Sequence, residues 1–316
     1  MALDADTLVE RRSLRRKLSF WRIAAFIIAV GAIVAIAGLS ARDKIVGQIA
    51  RVPVTGVITD SFKQREMLRK LGETDRVKAV ILAIDSPGGT TSGGESLFNA
   101  IRDLAGKKPV VASIGTVGAS AAYLVAIAAD HVVARETSIT GSIGVLYQWP
   151  NFKELGDKVG VDMRVIKSDP LKAEPSPFNE DTPAELRVIE QLIGDTHDWF
   201  IERVSERRGL EANRARELAD GRVYSGRRAV TMDLVDELGG EDTAQAWLVA
   251  ERGVPEGLRI VQWTGDAALE ELGLGGRLSQ MLDGAGKFAG WLSDIAEEAV
   301  PQRGLVSIWR SQPIED

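Results

Sequence analysis

Hydrophobic and polar positions change their period repeatedly after residue 50, and each change marks an element. The stretch VPVTGVIT (52–59) predicts a strand, and residues 61–71 carry apolar positions at helical spacing. VKAVILAID (77–85) is a continuous apolar run bounded by charge and by SPGG, the pattern of a parallel strand buried on both faces. Residues 95–105 predict a helix and PVVASI (109–114) a strand. GTVGASAAYLVAIAAD (115–130) then reads as a turn leading into an apolar helix that opens at Ser120. HVVAR (131–135), SIGVLYQ (142–148) and DMRVIKS (162–168) predict further strands, with a short helix over 151–159. Repeated strand–helix–strand units of this kind imply an α/β fold with a parallel sheet and helices packed on it.

A long helix follows, with a clear start. Thr182 is its N-cap, Pro183 its first residue and Glu185 its third, a capping box that predicts a helix reaching Arg208. The stretch before it, SDPLKAEPSPFNED (168–181), has three prolines and no periodicity, and it predicts an exposed loop carrying Lys172. Beyond Gly240 the pattern weakens. LGLGG (272–276) suggests a break, and 279–299 fits an amphipathic helix with Trp291 on its apolar side.

The N-terminal part is of another kind. Arg11, Arg12, Arg15, Arg16 and Lys17 precede an uncharged run from Ile23 to Leu39, 17 residues long. Phe20 and Trp21 extend the run toward a headgroup region, where Arg22 can snorkel. The basic flank predicts residues 1–20 as a cytoplasmic N-terminus, 21–40 as a transmembrane anchor and the remainder outside the cytoplasm. AIAGLSA offers small residues for a cleavable signal peptide, and the length of the apolar run favours an uncleaved anchor.

Composition narrows the chemistry. Cysteine is absent, which removes disulfides, thiolate–metal sites and a cysteine nucleophile. The two histidines, His131 and His197, are too few for a His-rich metal site. A net charge of −6 without a long basic face argues against a nucleic-acid partner.

Two motifs carry candidate chemistry. GASAA (118–122) approaches the G-x-S-x-G nucleophile elbow, with Ala122 in place of the last glycine, and it lies where a strand turns into a helix. The structural alternative is that Ser120 simply caps the helix. DSPGG (85–89) is either a tight turn or a glycine pair whose backbone N–H groups face a ligand. On the catalytic reading, the N–H groups of Ala121 and Gly89 stabilise an oxyanion next to Ser120. The base is then in question. His131 lies a helix length from Ser120, about 15 Å by helical rise. His197 falls in the middle of a predicted helix with Trp199 and Phe200 nearby. Lys172, set in an apolar, proline-rich loop, fits a lysine base neutralised by desolvation. Lys167, at the end of a predicted strand, reads more simply as a solvated charge.

DSPGG, GASAAYLVAIAAD, TGSIGV (140–145), KSDPLKAEPSPF (167–178) and GRVYSGRRAVTMDLVDELGG (221–240) together resemble the signal peptide peptidase A family of membrane-bound serine peptidases. The resemblance covers about residues 50–250. It implies a ClpP/crotonase-like fold over a 41–250 peptidase domain, with 251–316 as a C-terminal extension. It also implies a Ser–Lys dyad, with Ser120 as nucleophile and Lys172 as general base, Gly89 in the oxyanion hole, and Ser142 hydrogen-bonded to the lysine. The chain departs from the family at Ala121 and Ala122, where two glycines are usual, and at Asp169 and Pro175, where glycine is common.

The expectation is a membrane-anchored endopeptidase without metal or organic cofactor. Its substrates would be signal-peptide remnants and other unfolded peptides, and its assembly a homo-oligomeric ring on the outer face of the cell (inner) membrane, the periplasmic side. The alternatives are a membrane peptidase that cleaves stomatin-like partners, a crotonase-like acyl-CoA enzyme, and an inactive scaffold.

Overall fold

The computed structural model describes residues 47–264 and the backbone of 306–308. The apolar run 23–39 and the segments 272–276 and 279–299 lie outside the described residues. Strands β1 (Gln48–Ile58), β2 (Val77–Thr90) and β3 (Val110–Ala119) alternate with helices α1 (Phe62–Glu73) and α2 (Thr91–Ala105). Helix α3 (Ala121–Ile127) follows β3, and then come the short strands β4 (His131–Ala134) and β5 (Ile139–Gly141). After an irregular stretch broken by α4 (Lys153–Val159), α5 (Pro183–Arg208) returns the chain to the core. The rest comprises α6 (Ala212–Leu218), β6 (Val223–Ser225), α7 (Gly226–Val230), β7 (Glu237–Leu238), α8 (Glu241–Arg252), β8 (Arg259–Gln262) and β9 (Val306–Ile308).

Among the described residues these strands form one sheet, in the order β6-β5-β3-β2-β1-β8, with β4 beside β3 and β7, and β9 beside β2. The β1, β2, β3, β4, β7 and β8 pairings are parallel. Helices cover both faces, as a parallel sheet requires. Val52, Val54, Leu82, Ile84 and Ile114 pack with α1, α2, α3 and α5, while Ile49, Ile81, Val111 and Val133 pack with Ala244 and Leu248 of α8. The mixed α/β class read from the sequence is therefore observed.

The start of α5 is also as the sequence predicts. Thr182 Oγ1 accepts from the Glu185 N–H, and the Glu185 carboxylate accepts from the Thr182 N–H at 2.9 Å.

Three expectations are corrected. Residues 142–148 form no strand, apart from an isolated bridge at Leu146, and 162–168 have no regular structure at all. Val161, Met163, Val165 and Ile166 are exposed, Ile166 fully. Their apolar pattern imitates a strand, but no neighbouring strand pairs with them. Finally, SPGG does not end β2 as a turn. The strand runs on to Thr90, because β1 pairs with it through Gly88 and Gly89.

Candidate active site

The β2–β3 register slips between Ile84–Ile114 and Ser86–Gly118, so β3 bulges and changes neighbours. Its first half pairs with β4 and its last residues, 117–119, with β5. The chain then turns at Ser120, with φ 59° and ψ −125°, and starts α3. A non-glycine residue in such a conformation costs about 1–3 kcal/mol and persists only where its surroundings impose it. Here they do. The Ser120 N–H donates to the Gly141 carbonyl at 2.8 Å, and the Thr140 hydroxyl donates to the Gly118 carbonyl at 2.7 Å. Ser120 is buried, as is every residue from Ala119 through Ala129.

The Ser120 side chain makes no capping hydrogen bond to its helix. The structural alternative for this serine therefore fails, and its strained backbone is left without a capping reason. Ala121 opens the helix, and the first N–H groups of a helix have no partner within it.

The far end of α3 is clamped. Arg207 donates from Nε to the Ile127 carbonyl and from Nη2 to that of Ala129, each at 2.9 Å, and Arg102 Nη1 donates to the Ala128 carbonyl at 2.7 Å. Burial, and then the Arg102 charge, lower the pKa of Arg207. The Tyr123 hydroxyl donates to the Leu234 carbonyl at 2.8 Å, and burial pushes its pKa upward. The helix that follows Ser120 is thus fixed at both ends and in the middle.

Gly89 lies in the extended end of β2, opposite Ile58 of β1. A Cβ there would stand 1.9 Å from the Ile58 carbonyl oxygen, so only glycine fits. Ser86, which the motif reading passed over, organises this end. Its hydroxyl donates to the Gly56 carbonyl at 2.6 Å and accepts from the Gly88 N–H at 3.1 Å, and the side chain is fully buried. A lone serine before Pro-Gly-Gly was its only signal in the sequence. Ser142 follows the Gly141 acceptor, has φ 51°, and donates its N–H to the Arg222 carbonyl at 2.8 Å. Ser120, Ala121 and the Gly141–Ser142 turn are therefore brought together.

Lys172 is placed differently. It is exposed, and its N–H donates to the Asp169 carbonyl at 3.1 Å in a turn. The apolar wall expected around it is not formed within one chain: Pro170 and Leu171 are exposed, and only Pro175 is buried. Lys167, read as a solvated charge, is instead largely buried and paired with Glu174, whose side chain is 3% exposed. The lysine loop is fastened to residues 149–152, with the Phe152 N–H donating to the Pro177 carbonyl at 2.6 Å and Trp149 Nε1 to Asp181 at 3.2 Å.

The histidines stand apart from this arrangement. His131 stacks on Trp247 at 4.6 Å, with its ring nitrogens toward Asp236 and Glu237. The His197 Nε2 is buried in α5. Among the described residues no group of acidic or histidine side chains could hold a metal ion.

A strained, buried serine at a strand–helix junction, close to the first-turn amides of α3, defines a hydrolase-type α/β site. Comparison with known proteins agrees. The signature of Peptidase family S49 matches residues 102–255. A Synechocystis protein named as a protease is 37% identical over 66% of this chain and 75% of its own length. A protein of Enterococcus faecium named as a signal peptide peptidase SppA is 30% identical, covering 69% of this chain and 67% of that one. The chain belongs to peptidase family S49, the signal peptide peptidase A family, and is a serine peptidase. Among solved structures, a ClpP1 point mutant from Listeria monocytogenes aligns at a TM-score of 0.42 and 15% identity, over 60% of this chain and 91% of that one. A likeness that loose adds nothing to the assignment.

Proposed function

We propose that this peptidase is a membrane-anchored endopeptidase using Ser120 as nucleophile and Lys172 as general base, acting on signal-peptide remnants and other unfolded peptides. The observation that carries the reading is the strained, buried Ser120 turn, whose side chain does not cap α3, beside the Gly141–Ser142 turn. In this mechanism neutral Lys172 takes the Ser120 proton as Oγ attacks a peptide carbonyl. The N–H groups of Gly89 and Ala121 receive the oxyanion. The lysine then protonates the leaving amine, and the same group activates the water that releases the acyl enzyme. Ser142 steadies the lysine.

An exposed lysine is a poor base, because water keeps it charged. Its neutralisation requires cover, and the arm that carries it asks for cover. Phe152, Leu155, Val161, Val165, Leu171 and Phe178 are all at least two-fifths exposed. Apolar exposure on this scale marks an interaction surface. Packing of a second copy against this arm would bury the loop and desolvate Lys172, which supports the homo-oligomeric ring. Helix α5 gives a further reason. The lysine loop joins its N-terminal end, while Arg207, near its C-terminal end, clamps the Ser120 helix. The two ends of α5 are about 39 Å apart. A neighbouring copy is the natural source of the lysine for each serine. The basic segment and apolar run of residues 11–39 support an anchor in the inner membrane with the peptidase domain outside the cytoplasm.

A serine-reactive phosphonate tests the reading. It should modify the full-length protein at Ser120, mapped by mass spectrometry, and leave Ser120→Ala unmodified. Modification at another serine, with Ser120 untouched, would remove the assignment.

A further inference from the structure

The loop that carries Lys172 is exposed along its length and tied at its root. Ser168 through Ala173 are all exposed, whereas the residues on either side of them are partly buried. Those two residues, Lys167 and Glu174, form an ion pair whose side chains are 20% and 3% exposed. Pro175, next in the chain, is buried. Between Lys172 and Glu174 the chain passes through Ala173 at φ 62°, a left-handed conformation that a non-glycine residue keeps only where its surroundings impose it. The C-terminal side of the loop is fastened by the Phe152 N–H, which donates to the Pro177 carbonyl at 2.6 Å. On the N-terminal side, residues 162–168 have no regular structure, and the Lys167 side chain ties that side to Glu174.

Stability alone does not account for this pair. Taking a carboxylate and an ammonium out of water costs about as much as their attraction returns, and apolar side chains of similar size often serve stability as well. The cost here is higher still, because Glu174 Oε2 is buried with no hydrogen-bond partner among the described residues. What an ion pair adds over an apolar contact is direction. It joins one end of Lys167 to one end of Glu174, and so fixes the length of chain looped out between them. That chain is residues 168–173, and Lys172 is the one cation in it.

We infer that the Lys167–Glu174 ion pair positions the general base, closing the loop at its root and holding Lys172 at the reach that Ser120 requires. The inference rests on the reading of Lys172 as base. Lys167 and Glu174 are positioning residues, which act on the reaction only through Lys172. They work as a unit, because removal of either partner opens the loop and leaves the other charge buried and unpaired.

The test uses the full-length protein in detergent, a short fluorogenic peptide and, for slow variants, an activated nitrophenyl ester. Lys167→Met and Glu174→Gln should each lower kcat by about 10²-fold with little change in KM, the scale of a displacement of about 1 Å at a reacting group. The double variant Lys167→Met/Glu174→Leu replaces the pair with apolar side chains. Its Tm should match or exceed that of the wild type while its kcat stays low. Wild-type kcat in the double variant would assign the pair to stability alone and overturn the inference, as would full kcat in either single variant. A second comparison asks whether the pair acts through Lys172. In a Lys172→Ala background, Glu174→Gln should change the residual ester hydrolysis by no more than about twofold, because the group it positions is already gone. A further loss of about 10²-fold there would place the action of Glu174 elsewhere and also overturn the inference. Failure of the base reading is separately visible, because Lys172→Ala would then hydrolyse the peptide at the wild-type rate.

Discussion

The amide of Ser120 donates to the carbonyl of Gly141 at 2.8 Å, across the end of the β3–β5 pairing. This one bond joins the loop of the proposed nucleophile, Ser120, to the loop of Ser142. It holds Ser120 in its positive-φ turn, and it sets Ser142 one residue beyond the acceptor.

Gly89 is the position where the least change should do the most harm. The added methyl of Gly89→Ala meets the Ile58 carbonyl oxygen at 1.9 Å, so the β2 end must move away from β1. If the Gly89 N–H is an oxyanion donor, kcat should fall by about 10²-fold or more with little change in KM. Circular dichroism and steady-state kinetics on the same preparation check this, since a folded Gly89→Ala enzyme with full kcat would exclude the donor role.

Lysine as the base predicts a particular pH profile. The kcat/KM should rise from about pH 7 to 9, above the range in which a histidine base titrates. Lys172→Arg should be inactive although the charge is kept, because arginine stays protonated. His131→Ala and His197→Ala should leave the profile where it is. Loss of the rise in either histidine variant would point to a different base.

Completion of the site on assembly can be tested by mixing. Ser120→Ala and Lys172→Ala, each inactive alone, should recover activity when dissociated and reassembled together. Each mixed contact of the right polarity then holds one intact serine and one intact lysine. Random assembly should restore about a quarter of wild-type sites, by the pairing statistics of closed rings. Recovery of nothing, with mixed oligomers shown by mass photometry, would mean that each chain supplies both groups to its own site.

Acid should loosen the structure through Asp236. Burial raises the pKa of this carboxyl, but the hydrogen bonds and charge of Arg208, the Val132 N–H and His131 outweigh it, and the net shift is downward. A carboxyl with a lowered folded pKa contributes stability that is present above its unfolded value, about 3.9, and is lost as pH falls through the folded value. Thermal melts should therefore show a drop in Tm below about pH 4 that Asp236→Asn removes. The same drop in Asp236→Asn would assign the acid sensitivity elsewhere.

Much of the site was legible because it is made of local constraints. The Ser120 turn shows in the sequence as a buried strand, a glycine and a run of alanines. The capping box at Thr182 shows as spacing alone. What could not be read depends on neighbours distant in the chain. DSPGG looks like a turn because proline and glycine usually end strands, yet β1 keeps β2 extended through it. Residues 161–166 look like a strand because their apolar positions imitate one, but in the folded chain they face outward. The setting of Lys172 was unreadable for the same reason. Leu171 and Pro170 suggest an apolar wall, and within one chain both are exposed. Arg207 and Arg102 gave no signal at all, since a carbonyl clamp on α3 depends only on where α5 and α2 pack.

The central claim is that Ser120 is the nucleophile, and hydrolysis by the single variant Ser120→Ala tests it most directly. Only a hydroxyl is lost, so the circular dichroism spectrum and the gel-filtration volume should match those of the wild type. Peptide hydrolysis should fall by about 10⁴-fold or to background, as expected on removing a catalytic nucleophile. Wild-type rates in Ser120→Ala would contradict the account.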